Sequence, residues 1–167
     1  MKQTRKLTLP KTQMLLHFFP VFVFLLIASI CFFISLVAHE HHLSLDFKFL
    51  SLTAILIAIY LFYRQFNQLN FTSIQATLTE QEFRDMFEIL AKKMNWLAEY
   101  SGESYVVATI EFKWSNWGTL ITLIRDKDCI LVNSICDLHN KPTTTSWGQN
   151  KRNVEAVKNY LSAFSNA

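Results

Sequence analysis

Two long apolar stretches dominate the first third of the chain. Residues 12–38 contain no Asp, Glu, Lys or Arg, and a second apolar run covers Phe49–Tyr63. An uncharged apolar stretch of about 18 residues or more is typical of a transmembrane helix. The pattern therefore predicts a transmembrane helical hairpin over 14–64, with spans at about 14–38 and 45–63 and a short connection that makes them antiparallel.

A cleaved signal peptide is the alternative interpretation of the first stretch. Its apolar region would be unusually long, and Leu36-Val37-Ala38 is a poor small-x-small cleavage site. We therefore favour an uncleaved anchor.

The charges that flank the spans predict their orientation. The basic N-terminus, residues 1–13, has four cations and no acid, and Arg64 follows the second span, whereas the connection carries Glu40 and Asp46. By the positive-inside rule, both termini face the cytoplasm. The chain is therefore expected to cross the plasma (inner) membrane of a bacterium twice. Membrane lipid is one expected partner.

A soluble-type domain of roughly 95 residues, 71–167, is predicted after the membrane. Thr79 and Glu82 form a capping-box signature at a helix start. The apolar residues that follow recur at helical spacing and predict a helix over 80–95 that buries one face. They are Phe83, Met86, Phe87, Leu90, Ala91 and Met94.

Further along, β-branched and aromatic residues alternate with turn residues. A short first strand is expected within 71–78 and a final helix after Ser146. The other predicted strands are Tyr105–Phe112, Thr119–Arg125 and Cys129–Ile135. The order (β)-α-β-β-β-α predicts a membrane-anchored α+β protein whose small domain packs two helices on one sheet face in two layers.

Several function classes lack their motifs. The chain has three cysteines but no C-x-x-C, three glycines and no phosphate-binding loop, and no H-E-x-x-H. Residues 71–167 are nearly neutral, although the whole chain has a net charge of +3, so no nucleic-acid partner is expected. No catalytic residue, cofactor or metal site is predicted, and the sequence leans against an enzyme. The His-rich connection, His39–His42, leaves open whether it binds a metal.

The segment before the last helix is the strongest candidate for a binding site. Cations in a first helical turn oppose the helix dipole, and a broken local rule can mark a site. With free backbone N–H groups and hydroxyls, such a segment suits a phosphate or lipid headgroup. A solvated helix start without a ligand is the alternative. The candidate anion-binding residues are Ser146, Gly148, Gln149, Asn150, Lys151 and Arg152.

Three tryptophans lie in or beside predicted turns. Trp114, Trp117 and Trp147 could contact the membrane interface or form a partner-binding surface. Packing over one end of the sheet is the alternative. We treat them as candidate interface residues.

The stretch 130–153 resembles the C-terminal signature of an uncharacterised bacterial domain family. In that signature a strand ends in an Asn/Arg-Ser pair, here Asn133-Ser134, and a Ser-x-Gly-x-Asn helix start follows at 146–150. The Trp117-Gly118 step also resembles small two-pass membrane proteins of unknown function. The resemblance implies no established activity.

These observations favour a membrane-anchored cytoplasmic interaction module, or a subunit of a membrane complex, that binds a protein partner or self-associates. The alternative is an anion- or headgroup-binding domain at the inner leaflet.

Overall fold

The computed structural model describes residues 5–37, 41–110, 118–137 and 148–164, apart from the side chains of 41–44. The described residues divide into two compact units. Leu9–Asn67 forms a helical unit, and the described residues before Leu9 and after Asn67 form an α+β unit.

The helical unit contains α1 (Lys11–Val37) and α2 (His41–Gln68). By length and composition, both helices are long and apolar enough to cross a membrane. The second helix continues through 64–68, beyond the predicted end of its span at about 63. These residues include neither Gly nor Pro, so nothing in the local sequence stops the helix.

Small residues bring the two helices together. Ala28, Ala54 and Ala58 are buried, and the Ser51 hydroxyl donates a hydrogen bond to the Ala28 carbonyl over 3.0 Å. Close backbone approach of this kind is characteristic of helix pairs in lipid. Gln65, later in α2, meets His17, earlier in α1, so the two contacts together show that the helices are antiparallel.

The α+β unit contains one five-stranded antiparallel sheet with strand order β1-β5-β4-β3-β2. Its elements in chain order are β1 (Thr72–Gln75), α3 (Glu80–Met94), β2 (Leu97–Ser101), β3 (Tyr105–Ile110), β4 (Thr119–Asp126), β5 (Cys129–Cys136) and α4 (Gln149–Phe164). The coarse α+β prediction is therefore confirmed.

Strand β2, Leu97–Ser101, was not predicted. All five of its residues are exposed, and a register irregularity between Ala98 and Tyr100 interrupts its pairing with β3. An edge strand that buries nothing and contains a bulge has no alternating apolar signal. The sheet consequently has a meander of four strands, not three, with β1 added beside β5.

Helices α3 and α4 cover one face of the sheet. Phe83 and Met86 of α3 and Val157 of α4 are fully buried in a cluster with alternate residues of β3, β4 and β5. This is the two-layer packing that the helical spacing predicts, since both helices bury one stripe against the same sheet face.

The chain on either side of the helical unit belongs to the α+β unit and pairs with itself. Lys6 and Asn70 form an antiparallel bridge, Leu7 N–H donates to Leu69 O over 2.8 Å, and Phe71 N–H donates to Arg5 O over 3.0 Å. The segments that enter α1 and leave α2 are therefore side by side.

Asn133 of β5 fixes this junction. Its side-chain amide donates to the carbonyls of Gln68 and Asn70, both over 2.9 Å, and its side chain is buried. An amide has two N–H donors, so this geometry uses both. The last residue of α2 is thereby tied to the sheet.

The predicted capping box at the start of α3 is present. Thr79 Oγ1 accepts from the Glu82 backbone N–H, and the Glu82 carboxylate accepts from the Thr79 backbone N–H and hydroxyl. The backbone hydrogen bond, assisted by the hydroxyl one, lowers the pKa of Glu82 because both favour the charged carboxylate.

This lowered pKa predicts an acid-dependent contribution to stability. A carboxylate whose folded pKa lies below its unfolded pKa stabilises the fold above the unfolded value, about 4.3, and that contribution disappears as pH falls through the folded value. Glu82→Gln keeps a capping side chain but cannot titrate. We expect the difference in unfolding free energy between wild type and Glu82→Gln to shrink as pH is lowered from 7 to 3, measured by denaturant titration in detergent. A difference in unfolding free energy that stays constant with pH would contradict the assignment of this contribution to the Glu82 carboxylate.

Candidate functional site

The start of α4 is where the predicted anion site lies. Gly148 precedes the helix with φ of 82°, a left-handed conformation that favours glycine, and its carbonyl accepts from Arg152 N–H over 3.0 Å. Nothing lies within 4 Å of the position a Gly148 Cβ would take. The conformation, not crowding, therefore accounts for glycine here. Ser146 lies outside the described residues.

Two of the predicted ligand side chains are engaged by the protein itself. The Gln149 amide donates to Asn153 Oδ1 over 3.1 Å, and Asn150 Oδ1 accepts from the Ser134 hydroxyl over 3.2 Å. The Asn150 contact joins α4 to β5, and the Gln149 contact joins the first turn of α4 to its next turn. In this structure both side chains therefore stabilise the start of α4.

A buried polar network extends from these contacts into the sheet. Asn153 is fully buried, and its side-chain amide donates to Thr119 Oγ1 over 3.3 Å and to Ser134 Oγ over 3.0 Å. With Gln149 donating to its Oδ1, the Asn153 side chain uses both N–H donors and its oxygen. The network therefore positions α4 on β4 and β5.

Lys151 and Arg152 remain at the surface. Lys151 Nζ lies 3.7 Å from Glu155 Oε1 one turn later, with 81% of the lysine side chain exposed. Exposed ion pairs of this kind contribute little, typically about 0.2–1 kcal/mol. Both cations are available to an external anion, and the first turn of α4 contains no acidic residue.

The three candidate interface residues, Trp114, Trp117 and Trp147, lie outside the described residues. Trp96, the tryptophan that is described, is buried beside Phe87 with ring centroids 6.4 Å apart. It forms part of the core and not of a surface.

A different surface of the described α+β unit contains three exposed large side chains. Leu97 and Tyr100 of β2 and Tyr105 of β3 are 50%, 58% and 37% exposed and project from the sheet face opposite the helices. The two tyrosine rings are 5.7 Å apart. We call these three residues the β2–β3 patch.

Gly102 supports the patch from the turn between its strands. A Cβ on Gly102 would meet the Tyr100 hydroxyl oxygen at 3.2 Å and its ring at 3.3 Å. The ring of Tyr100 therefore lies close against the turn backbone. Two acidic residues, Glu99 and Glu103, are exposed in the same hairpin. Sequence analysis missed the patch because it missed β2.

Clusters of residues that could hold a metal were sought in the described part of the chain. No group of three or more His, Cys, Asp or Glu side chains converges there. His139 lies outside it, and His39 and Glu40 likewise, while His41 and His42 begin α2. The Asp126 carboxylate forms an ion pair with Arg5, 2.8 Å away.

Comparison with known proteins found no matching family model, no matching curated protein and no matching solved structure.

The network around Asn153 predicts a clear division of effects at the start of α4. Asn153→Leu would leave the Thr119 and Ser134 hydroxyls without their donor and would place apolar bulk in a polar site. We expect a loss of about 2–3 kcal/mol in unfolding free energy, since unsatisfied buried polar groups cost about 1–3 kcal/mol. Lys151→Ala, on the exposed side of the same helix, should change the unfolding free energy by about 0.5 kcal/mol or less. Denaturant titration in detergent measures both, and equal effects would contradict this division.

Proposed function

We propose that this chain is a membrane-anchored interaction module. In this proposal α1 and α2 cross the plasma membrane as a hairpin, and the α+β unit lies in the cytoplasm. The β2–β3 patch then binds a protein partner. The exposed patch is the observation that carries the proposal, because it combines two neighbouring tyrosines with a leucine on the surface of the α+β unit.

The flanks of the helical unit support the two-pass topology. Lys6 pairs with Asn70, so the segment before α1 and the segment after α2 lie on the same side of any membrane the helices cross. The first of these segments is basic, whereas two acids, Glu40 between the helices and Asp46 early in α2, lie at the opposite end. The positive-inside rule then favours the cytoplasm for both ends.

The chemistry of the patch favours a protein partner. Aromatic residues are enriched at protein interfaces because they bury a large area with few rotatable bonds, and Tyr adds a hydroxyl. The exposed carboxylates Glu99 and Glu103 in the same hairpin favour a partner whose apolar contact surface has basic residues at its rim. A second copy of the chain is the competing occupant.

An anion site at the start of α4 remains the second candidate function. The exposure of Lys151 and Arg152 favours it, whereas the internal hydrogen bonds of Gln149 and Asn150 count against it. Saturable stabilisation of the full chain by inorganic phosphate or glycerol phosphate would favour it. That stabilisation would have to be lost in Lys151→Ala/Arg152→Ala.

Cysteine labelling tests the topology. In a chain whose three native cysteines are replaced by Ala, Asp46→Cys should react with a membrane-impermeant maleimide in intact cells. Lys158→Cys should react only after the membrane is permeabilised, because we place the α+β unit inside. The opposite pattern would reverse the proposed orientation, and release of the chain by carbonate extraction would contradict membrane anchoring.

Photocrosslinking tests the patch. Benzoylphenylalanine in place of Tyr100 should give a discrete crosslinked band in cells. The matched control replaces Ile89, which is 51% exposed on α3, and should give none. Leu97→Asp should reduce the Tyr100 band at least about fivefold, as loss of an interface residue worth 1 kcal/mol or more would. Mass spectrometry of the band tells a partner from a second copy. Equal bands at both positions, or none at Tyr100, would contradict the proposal.

A further inference from the structure

An apolar groove runs along the helical unit. It has a volume of about 650 Å³, within the range of small-molecule pockets, and its walls come from the first half of α1 and the last turns of α2. Met14, Phe18 and Leu25 form one wall, and Phe62 and Phe66 belong to the other. The groove lies where aromatic residues, and not small ones, separate the two helices.

Lys11 is the single charged residue that lines this groove in the described part of the chain. It stands at the first position of α1 and is exposed. A lysine in such a place lays its aliphatic stem along apolar surface and keeps its ammonium in the polar region. The groove therefore combines an apolar wall with one cation at its end.

The length of the groove matches one leaflet of a bilayer. From Lys11 to Leu25 the helix rises about 21 Å, at 1.5 Å per residue. Half the hydrocarbon core is about 15 Å, and the headgroup region adds about 5–7 Å. A groove that begins at headgroup level therefore ends near the bilayer midplane.

We propose that this groove binds an acyl chain of one anionic glycerophospholipid, whose phosphate pairs with Lys11 and is not neutralised by a quaternary ammonium in its own headgroup. The inference rests on the membrane anchoring in the proposed function, but not on the β2–β3 patch or on the start of α4. The lipid comes from the leaflet that faces the N-terminal segment, because Lys11 lies at that end of the helix.

The composition of the groove argues against a peptide occupant. An extended segment brings backbone N–H and C=O groups that require partners in an apolar site, and each unsatisfied group costs several kcal/mol. Apart from Lys11, the residues that line the groove are apolar. An acyl chain has no such requirement, and its phosphate supplies the counter-charge for Lys11.

Native mass spectrometry of the full chain, released from nanodiscs that contain equal amounts of phosphatidylglycerol and phosphatidylcholine with the same chains, tests the proposal. We expect one retained phosphatidylglycerol per chain. Lys11→Ala should weaken its retention about fivefold, since one basic residue near an anionic surface is worth about 1 kcal/mol. Met14→Trp, which adds bulk from a half-exposed position on the wall, should weaken retention of the same lipid without loss of charge.

Arg64→Ala is the matched control. Arg64 is an exposed cation near the same end of the helix pair and does not line the groove, so its removal should leave retention unchanged. Equal retention of the two lipids, or equal effects of Lys11→Ala and Arg64→Ala, would overturn the groove proposal while membrane anchoring stands. A chain that fails to enter nanodiscs would overturn both, and a dimer without lipid would assign the groove to a second copy.

Discussion

Two hydrogen bonds from Asn133 hold the first residues of the α+β unit that follow the helical unit, and the pairing around them depends on this contact. Asn133 lies within β5, next to the centre of the sheet, yet its two amide donors go to carbonyls outside the strand, at Gln68 and Asn70. The carbonyls at the end of a helix have no partner within the helix. A side-chain amide that satisfies one of them also fixes where the helix ends.

From this contact the rest of the junction follows. With Gln68 and Asn70 held on β5, the next residues are in place to pair as β1, in which Thr72 lies opposite Val132. Asn70 then receives Lys6 as a bridge partner, which brings in the segment before α1. A chain that leaves the helical unit by this route begins its sheet within four residues of the end of α2.

The parts of this fold that the sequence predicts are those whose signals are local. The Thr79–Glu82 capping box needs only four consecutive residues, and the apolar stripe of α3 needs only its own period. Strand β4 and strand β5 bury alternate or continuous apolar residues and were placed nearly correctly. In contrast, every residue of β2 is exposed, so the strand has no alternation of buried and exposed positions from which it could be predicted.

The candidate site at the start of α4 depends on tertiary contacts, which local sequence signals do not reveal. Gln149 and Asn150 have the side chains that a ligand site would use, and their local sequence does not indicate that Ser134 and Asn153 engage them. Those contacts depend on how α4 lies across β5, which is a tertiary property. Ser134 follows Asn133 along the strand, so the two side chains project to opposite faces. One Asn-Ser pair thus serves both α4 and the end of α2, which is why a short polar pair interrupts an apolar strand.

Polar groups inside the helical unit have a comparable structural role. His17 Nε2 donates to the Gln65 carbonyl over 3.0 Å, and both side chains are almost fully buried. Breaking such a bond would leave a buried donor and a buried acceptor without partners, so it stabilises this arrangement of the two helices. Ser51 and Ala28 make a second bond nearer the other end of the pair. Two bonds at separate levels define a helix register that apolar side chains alone would leave free to slide. Because the walls of the groove beside Phe18 and Phe62 come from both helices, the shape of the groove depends on that register.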